Sequence, residues 1–407
     1  MNVKGEGGAA SGGSGAGGAS DNSTGGAMVT PEGGSGGTSM GSGGSGGTEN
    51  GTGGTGGMAA GGSGGAPTGG SGGTPAKPDG VPIVVAFGDG GWTMASCNYG
   101  RSWKVNAAFS GVRGDHTEWT TFGGLAFGNG AIVAGTGWGA PGHLLTSNDG
   151  VSFTDLPDSA FRVGNKPESF DSSVGGVAFD GTQFVAFSRW VWRSTDGRSW
   201  SGSNNTWPRG VQQLRQLRGF ADQKLLVASV ETQNGGDHPL GNWVVVSENG
   251  GATWREGTGF RSSCANFIQH RGDIEMLGET LIVGTDDVCV STDRGKSWTF
   301  VASPGGGEMG DLFHDNEAFY GVAGDRLMRS VDGKAWQMFG QKLPGRADRG
   351  TFVQGQFVVM GARATKVSHS GNGMGWQTVS PPGVGNNQWV RDLGVAYGSA
   401  NAMCPPP

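Results

Sequence analysis

The chain runs to 407 residues, with 86 Gly, 15% charged side chains and a net charge of −6. That balance, without clustered Lys or Arg, offers no electrostatic footprint for nucleic acid, and no apolar run approaches the length that spans a bilayer. The six His are scattered and there is no Cys-x-x-Cys, so no metal site is expected; the Gly-x-Gly-x-x-Gly matches fall in Gly-rich sequence and not between a strand and a helix, so no cofactor is expected either.

Residues 1–79 contain no Phe, Trp, Tyr, Leu or Ile, and about two-fifths of them are Gly. Such a stretch cannot bury enough apolar surface to offset its chain entropy and is expected to be a disordered Gly/Ser/Thr-rich tether of random-coil reach. The opening Met1-Asn-Val-Lys-Gly-Glu6 lacks the apolar core of an export signal. A long polar spacer ahead of a Trp-rich domain nevertheless predicts a secreted or cell-surface-tethered protein, its signal or lipid anchor lying upstream; unconventional export and an internal location are the alternatives.

Residues 80–407 hold every aromatic side chain and read as one folded unit. Pro82–Phe87 is predicted as a strand and Trp92–Ser96 as the next, followed by Ser96-Cys-Asn98-Tyr-Gly100-Arg-Ser-Trp103. The same phrase returns as Ser147-Asn-Asp149-Gly150-Val-Ser-Phe153, Ser194-Thr-Asp196-Gly197-Arg-Ser-Trp200 and Ser247-Glu-Asn249-Gly-Gly251-Ala-Thr-Trp254. Further on come Ser291-Thr-Asp293-Arg-Gly295-Lys-Ser-Trp298, Ser330-Val-Asp332-Gly333-Lys-Ala-Trp336 and a worn copy read as Ser368-His-Ser370-Gly-Asn-Gly373-Met-Gly-Trp376. Around each copy lie short apolar runs bounded by Asp-Gly or Asn-Gly, as in Val174–Phe179, Asp180-Gly181 and Gln183–Phe187, which is hairpin grammar. No segment keeps an apolar period of 3.6, so helices should be few. The period of roughly 38 to 53 residues is the length of one four-stranded propeller blade.

In the phrase, the carboxylate or amide at Asn98, Asp149, Asp196, Asn249, Asp293 and Asp332 can accept backbone N–H groups of its own turn. The Gly takes the φ > 0 position, and the Trp packs between strands. These positions are therefore expected to be structural. The phrase resembles the Asp-box, or BNR repeat, of bacterial sialidases, sortilin-type receptors, xyloglucan-cleaving glucanases and photosystem II assembly propellers, and the likeness covers residues 82–403. It implies an all-β fold, a seven-bladed β-propeller with four-stranded antiparallel blades behind the disordered tether. It implies no single activity, because members of that group do unrelated things.

The first blade has no room for an innermost strand before Val81, and Trp389–Tyr397 echoes the innermost strand of the second blade. The C-terminal segment is therefore expected to complete the N-terminal blade and remove a free sheet edge. That closure makes Cys97 and Cys404 neighbours, while Cys264 and Cys289 fall in the fifth blade, so disulfides 97–404 and 264–289 are predicted; four free thiols are the alternative.

Ligands of propellers sit at the mouth of the central channel, where the innermost strands start. Those positions are rich in charge: Asp171, Arg215, Arg218, Arg271, Asp273, Asp311, Asp348, Arg349, Arg391 and Asp392. One reading is a polar pocket in which Arg218, Arg271, Arg349 and Arg391 grip an anionic or sugar ligand, with Trp138, Trp207 and Trp389 as aromatic platforms. The other is a ring of Arg–Asp pairs that ties the blades together. A sialidase would need a Tyr nucleophile, yet Tyr99 lies in an Asp-box turn, Tyr320 and Tyr397 lie in strands, and the Arg-Ile-Pro phrase is absent. A two-carboxylate glycosidase would draw on Asp171, Glu308, Asp311 or Asp392. The Arg-Gly-Asp triplets at 113–115 and 271–273 are what this composition produces by chance. The expected function is thus a monomeric, tethered, extracellular propeller binding a glycan or a protein. A glycoside hydrolase of the same superfamily and an assembly factor for a membrane complex are the alternatives.

Overall fold

The computed structural model describes residues 81–88, 92–106, 124–136, 142–167, 174–188, 190–204, 207, 213–232, 241–260, 264, 273–284, 287–302, 309–384 and 389–398. All of them lie in one compact unit, Gly72–Pro407. The tether expected at 1–79 and the five site candidates Trp138, Asp171, Arg271, Glu308 and Cys404 lie outside the described residues.

Seven sheets follow one another around a ring, each running antiparallel from an inner to an outer strand. The second blade shows the unit. Leu125–Gly128 is innermost and turns at Asn129-Gly130 into Ala131–Thr136; His143–Ser147 and Thr154–Asp155 complete the sheet. Every residue of Ala131–Thr136 is buried, as befits a strand covered on both faces by neighbouring blades. The innermost strands of consecutive blades lie side by side all the way round, including the last against the first. With this up-and-down path, the innermost strands begin on one face of the ring, and the turns between third and fourth strands lie on the other.

The first blade is assembled from both parts of the chain, as its sequence predicts. Val390–Gly398 is its innermost strand and pairs antiparallel with Val81–Gly88, from Val81 opposite Gly398 to Gly88 opposite Val390. Thr93–Ser96 and Lys104–Asn106 finish the sheet.

The third blade departs from the four-stranded plan. Beyond Gly176–Phe179, Phe184–Phe187, Val191–Ser194 and Trp200–Ser203, a hairpin of Phe161–Val163 and Lys166–Pro167 joins its outer edge, making six strands. Phe161 pairs in parallel register with Trp200 and packs edge-on against Trp192, their ring centroids 5.3 Å apart. The anchor is thus an apolar side chain that is 1% exposed.

The seventh turn corrects the sequence reading. Gly373 N–H donates to the Ser370 hydroxyl at 3.0 Å, and Met374 N–H to Asn372 Oδ1 at 2.9 Å. The phrase therefore starts at Ser370, not Ser368, and Asn372 is its acceptor. Ser368 lies in the strand Val367–Ser370 and bonds across the ladder to Thr378 Oγ1 at 2.9 Å.

Candidate ligand-binding face

The seven turns hold the blades in shape. At the fifth, the Asp293 carboxylate accepts the Ser291 hydroxyl (2.7 Å), the N–H of Lys296 (3.0 Å) and Ser297 (2.8 Å), and the Ser297 hydroxyl (2.6 Å). Burial acts to raise its pKa, but these donors prevail and hold it at about 2. Asp149, Asp196 and Asp332 are lowered in the same way, by N–H and hydroxyl donors of their own turns. Asn98 and Asn249 take identical places with Oδ1 as acceptor. Gly295 sits at φ 77°, and a Cβ there would meet Val246 Cγ2 of the preceding blade at 2.7 Å, so both conformation and packing require Gly. These carboxylates are engaged by donors of their own turns, on the face opposite the starts of the innermost strands.

At the channel, three carboxylates reach from one blade to the next. Asp273 opens the innermost strand Asp273–Leu277 and accepts Leu312 N–H of the next blade at 2.6 Å. Asp311 accepts Gly350 N–H at 2.9 Å, and Asp392 accepts Leu125 N–H at 2.8 Å. Each joins its own innermost strand to the following one. All three are nearly buried, at 6%, 5% and 8% exposed.

Arg218, from the innermost strand Gln213–Phe220 of the fourth blade, crosses to this ring. Its Nη2 lies 2.9 Å from Asp273 Oδ1 and 3.9 Å from Asp311, and its Nη1 lies 3.6 Å from Asp392. One guanidinium thus touches carboxylates of the fifth, sixth and first blades. Gln216 Nε2 adds a bond to Asp273 at 2.6 Å. Burial acts against the Arg218 charge, yet the three carboxylates hold its pKa well above the usual value. Burial also acts to raise Asp273, but Arg218, a bond with Asp311 and Leu312 N–H keep it low. Asp311 takes the opposite course: burial and the Asp273 charge push it well above the usual carboxylate range.

Around this hub the candidate arginines divide by partner. Arg349 donates through Nη1 to Asp348 O at 2.9 Å and through Nε to Arg391 O at 3.3 Å, tying the seventh blade to the first. Asp348 in turn accepts Ala362 N–H at 2.7 Å. Arg391 lies beside Trp389, its guanidinium carbon 6.0 Å from the ring centroid, and Arg363 lies over the same ring at 5.1 Å. Trp389 is 40% exposed. It precedes Val390 directly and forms a β-bridge with Arg363, on the loop between the second and third strands of the seventh blade. That cluster stands on the face where the innermost strands begin. Arg363 escaped the sequence reading, although its place on a second-to-third-strand loop is a signal that puts it on this face.

Trp207, read as a platform, packs 4.7 Å from both Phe187 and Trp254, in the core between the third and fourth blades. The tyrosines are likewise engaged. The Tyr320 hydroxyl donates to Asp315 at 2.7 Å, and burial with that acceptor raises its pKa to about 12. The Tyr99 hydroxyl donates to Gln354 at 2.9 Å, and burial raises Tyr397. Cys264 and Cys289 form a disulfide, and Cys97 is also disulfide-bonded. Among the described residues no His, Cys, Asp and Glu gather as a metal site would need.

Strand order and ring closure define the class: a seven-bladed β-propeller. No family model matches the chain, and no curated protein matches it in sequence. Among solved structures it is similar to YCF48 from Cyanidioschyzon merolae over 70% of this chain and 97% of that one, with 14% identity and a TM-score of 0.46. YCF48 bound to D1 peptide is similar over 70% and 91%, at 16% identity and a TM-score of 0.47. Virginiamycin B lyase from Staphylococcus aureus is similar over 66% and 86%, at 11% identity and a TM-score of 0.43. Likeness at this level carries no argument about activity.

Proposed function

We propose that the chain is a ligand-binding propeller, tethered outside the cell through residues 1–79, that takes a carbohydrate or a protein on the face where its innermost strands begin. The observation that carries the reading is the half-exposed Trp389 with two guanidinium groups around it, Arg363 at 5.1 Å and Arg391 at 6.0 Å. An indole edge beside forked donors suits a ligand with both an apolar surface and a carboxylate. The buried Cys264–Cys289 bridge agrees with an oxidising compartment. The test is a glycan array and an acidic-peptide array probed with the full chain. At least one arrayed ligand should lose binding tenfold or more in Trp389→Ala, Arg363→Ala and Arg391→Ala; if every hit survives all three, this face is refuted.

One observation favours the hydrolase alternative. Asp273 and Asp311 share a surrounding that lowers one pKa and raises the other, the division of labour that acid–base pairs use. Both are also committed to the neighbouring strand, which supports binding over turnover. Hydrolysis of any glycoside in a substrate panel, lost in Asp311→Asn, would reverse that ranking.

A further inference from the structure

The extra hairpin of the third blade has a second effect beyond covering a sheet edge. On its way from Thr154–Asp155 to Phe161–Val163, the chain passes through Leu156, Pro157 and the 3₁₀ turn Asp158–Ala160. That segment and the third-to-fourth-strand turns of the second and third blades line an open cleft of about 430 Å³. It lies at the rim, on the side of the ring opposite Trp389. Its size is that of a small-ligand cleft.

Leu156, Pro157 and Ala160 bring apolar lining, Thr154 and Ser159 bring hydroxyls, and among the described residues no carboxylate lines the space. Among the described residues its one charge is Arg198, whose Nη2 donates to Asn148 Oδ1 of the neighbouring blade at 2.8 Å. That bond fixes the guanidinium across the blade boundary while using one of its five N–H donors. Thr146, 8% exposed, also lines the cleft, and its buried hydroxyl has no partner among the described residues. We infer that this cleft is a second binding site, for a single sugar ring that carries an acid group: a uronic acid residue at the end of a glycan. The apolar lining meets one face of the ring, the hydroxyls of Thr154 and Ser159 meet its hydroxyls, and Arg198 takes the carboxylate bidentately.

The experiment is isothermal titration of the full chain with methyl glucuronoside, methyl glucoside and sodium sulfate. The glucuronoside should bind at least tenfold more tightly than the glucoside, and Arg198→Ala should bring the two together. Ser159→Trp, which fills the cleft, should abolish both, while Trp389→Ala should leave both unchanged. Should Ser159→Trp lower the unfolding temperature, Arg198→Ala and Asn148→Ala, on exposed turns, carry the test. No binding, equal binding of the two glycosides, sulfate matching the glucuronoside, or unchanged affinity in Arg198→Ala would each overturn the inference. So would loss in Trp389→Ala alone, which would move the sugar to the channel face.

Discussion

Asp293 and Asn249 occupy the same place in neighbouring blades and accept the same kinds of donor, yet only one of them titrates. Asp293 is held at about 2 against an ordinary value of 3.8. Its contribution is therefore complete above the unfolded value and is lost as pH falls from there toward 2. Asp293→Asn should keep the turn and flatten the acid limb of a thermal-stability profile measured from pH 5 to pH 2. Asp293→Ala should cost about 1 kcal/mol near pH 5, since the turn's N–H groups lose their acceptor, and less as the pH falls toward 2. A profile for Asp293→Asn that follows the wild type would contradict this account. These turns were legible in the sequence because all their partners lie within four positions of the acceptor. The channel carboxylates were legible as a ring of Arg–Asp pairs tying the blades together, but not their backbone partners: Asp273 meets Leu312 across 39 positions and Asp392 meets Leu125 across 267. The Arg363–Trp389 contact was hidden for the same reason.

Among the elements, Val390–Gly398 bears the most. Without it, Val81–Gly88 would lose its whole inner ladder and expose an apolar edge at the channel. A chain ending at residue 388 is expected to give no soluble product with a cooperative urea transition; recovery of such a product would show that the ring closes another way. This strand could be foreseen because a missing piece at one end matched a spare piece at the other. The rim hairpin was not foreseen, although Gly164-Asn165 between Val163 and Lys166 is a recognised two-residue turn signal. The run on either side is short, and what makes it a strand is Phe161 buried between Trp192 and Trp200, a tertiary effect that no local window contains. In the seventh blade the phrase was misaligned by two positions, because Ser368 and Ser370 both point to the same side of their strand and only the turn geometry distinguishes them.

At the scale of the molecule, Arg218 is a common node for blades that are distant in the chain. Asp273→Ala would strip it of its shortest ion pair and leave Leu312 N–H unpaired in a buried place. The expected loss is about 3 kcal/mol, read as a lower urea midpoint with an unchanged slope. A change below about 0.5 kcal/mol would mean that Asp311 and Asp392 suffice. The Cys264–Cys289 bridge closes a loop of 25 positions, for which chain entropy predicts about 3 kcal/mol. The double Cys→Ser variant should show that loss in the same assay. Because the two residues are 2% and 0% exposed, mild reductant should leave the native bridge intact.

The two-part first blade also sets how the molecule bears a pull. Force arriving through residue 81 enters an interior strand, paired to Val390–Gly398 on one side and Thr93–Ser96 on the other. A load held at Trp389 acts at the far end of that strand, beside Gly88, so the tension runs lengthwise along the ladder. Rungs strained in that direction must slip together. Drawing Val81 away from Gly398, which face each other across the same ladder, would instead open it one rung at a time. The seam that joins the two parts of the chain is thus strong along the line from Val81 to Trp389 and weak across it.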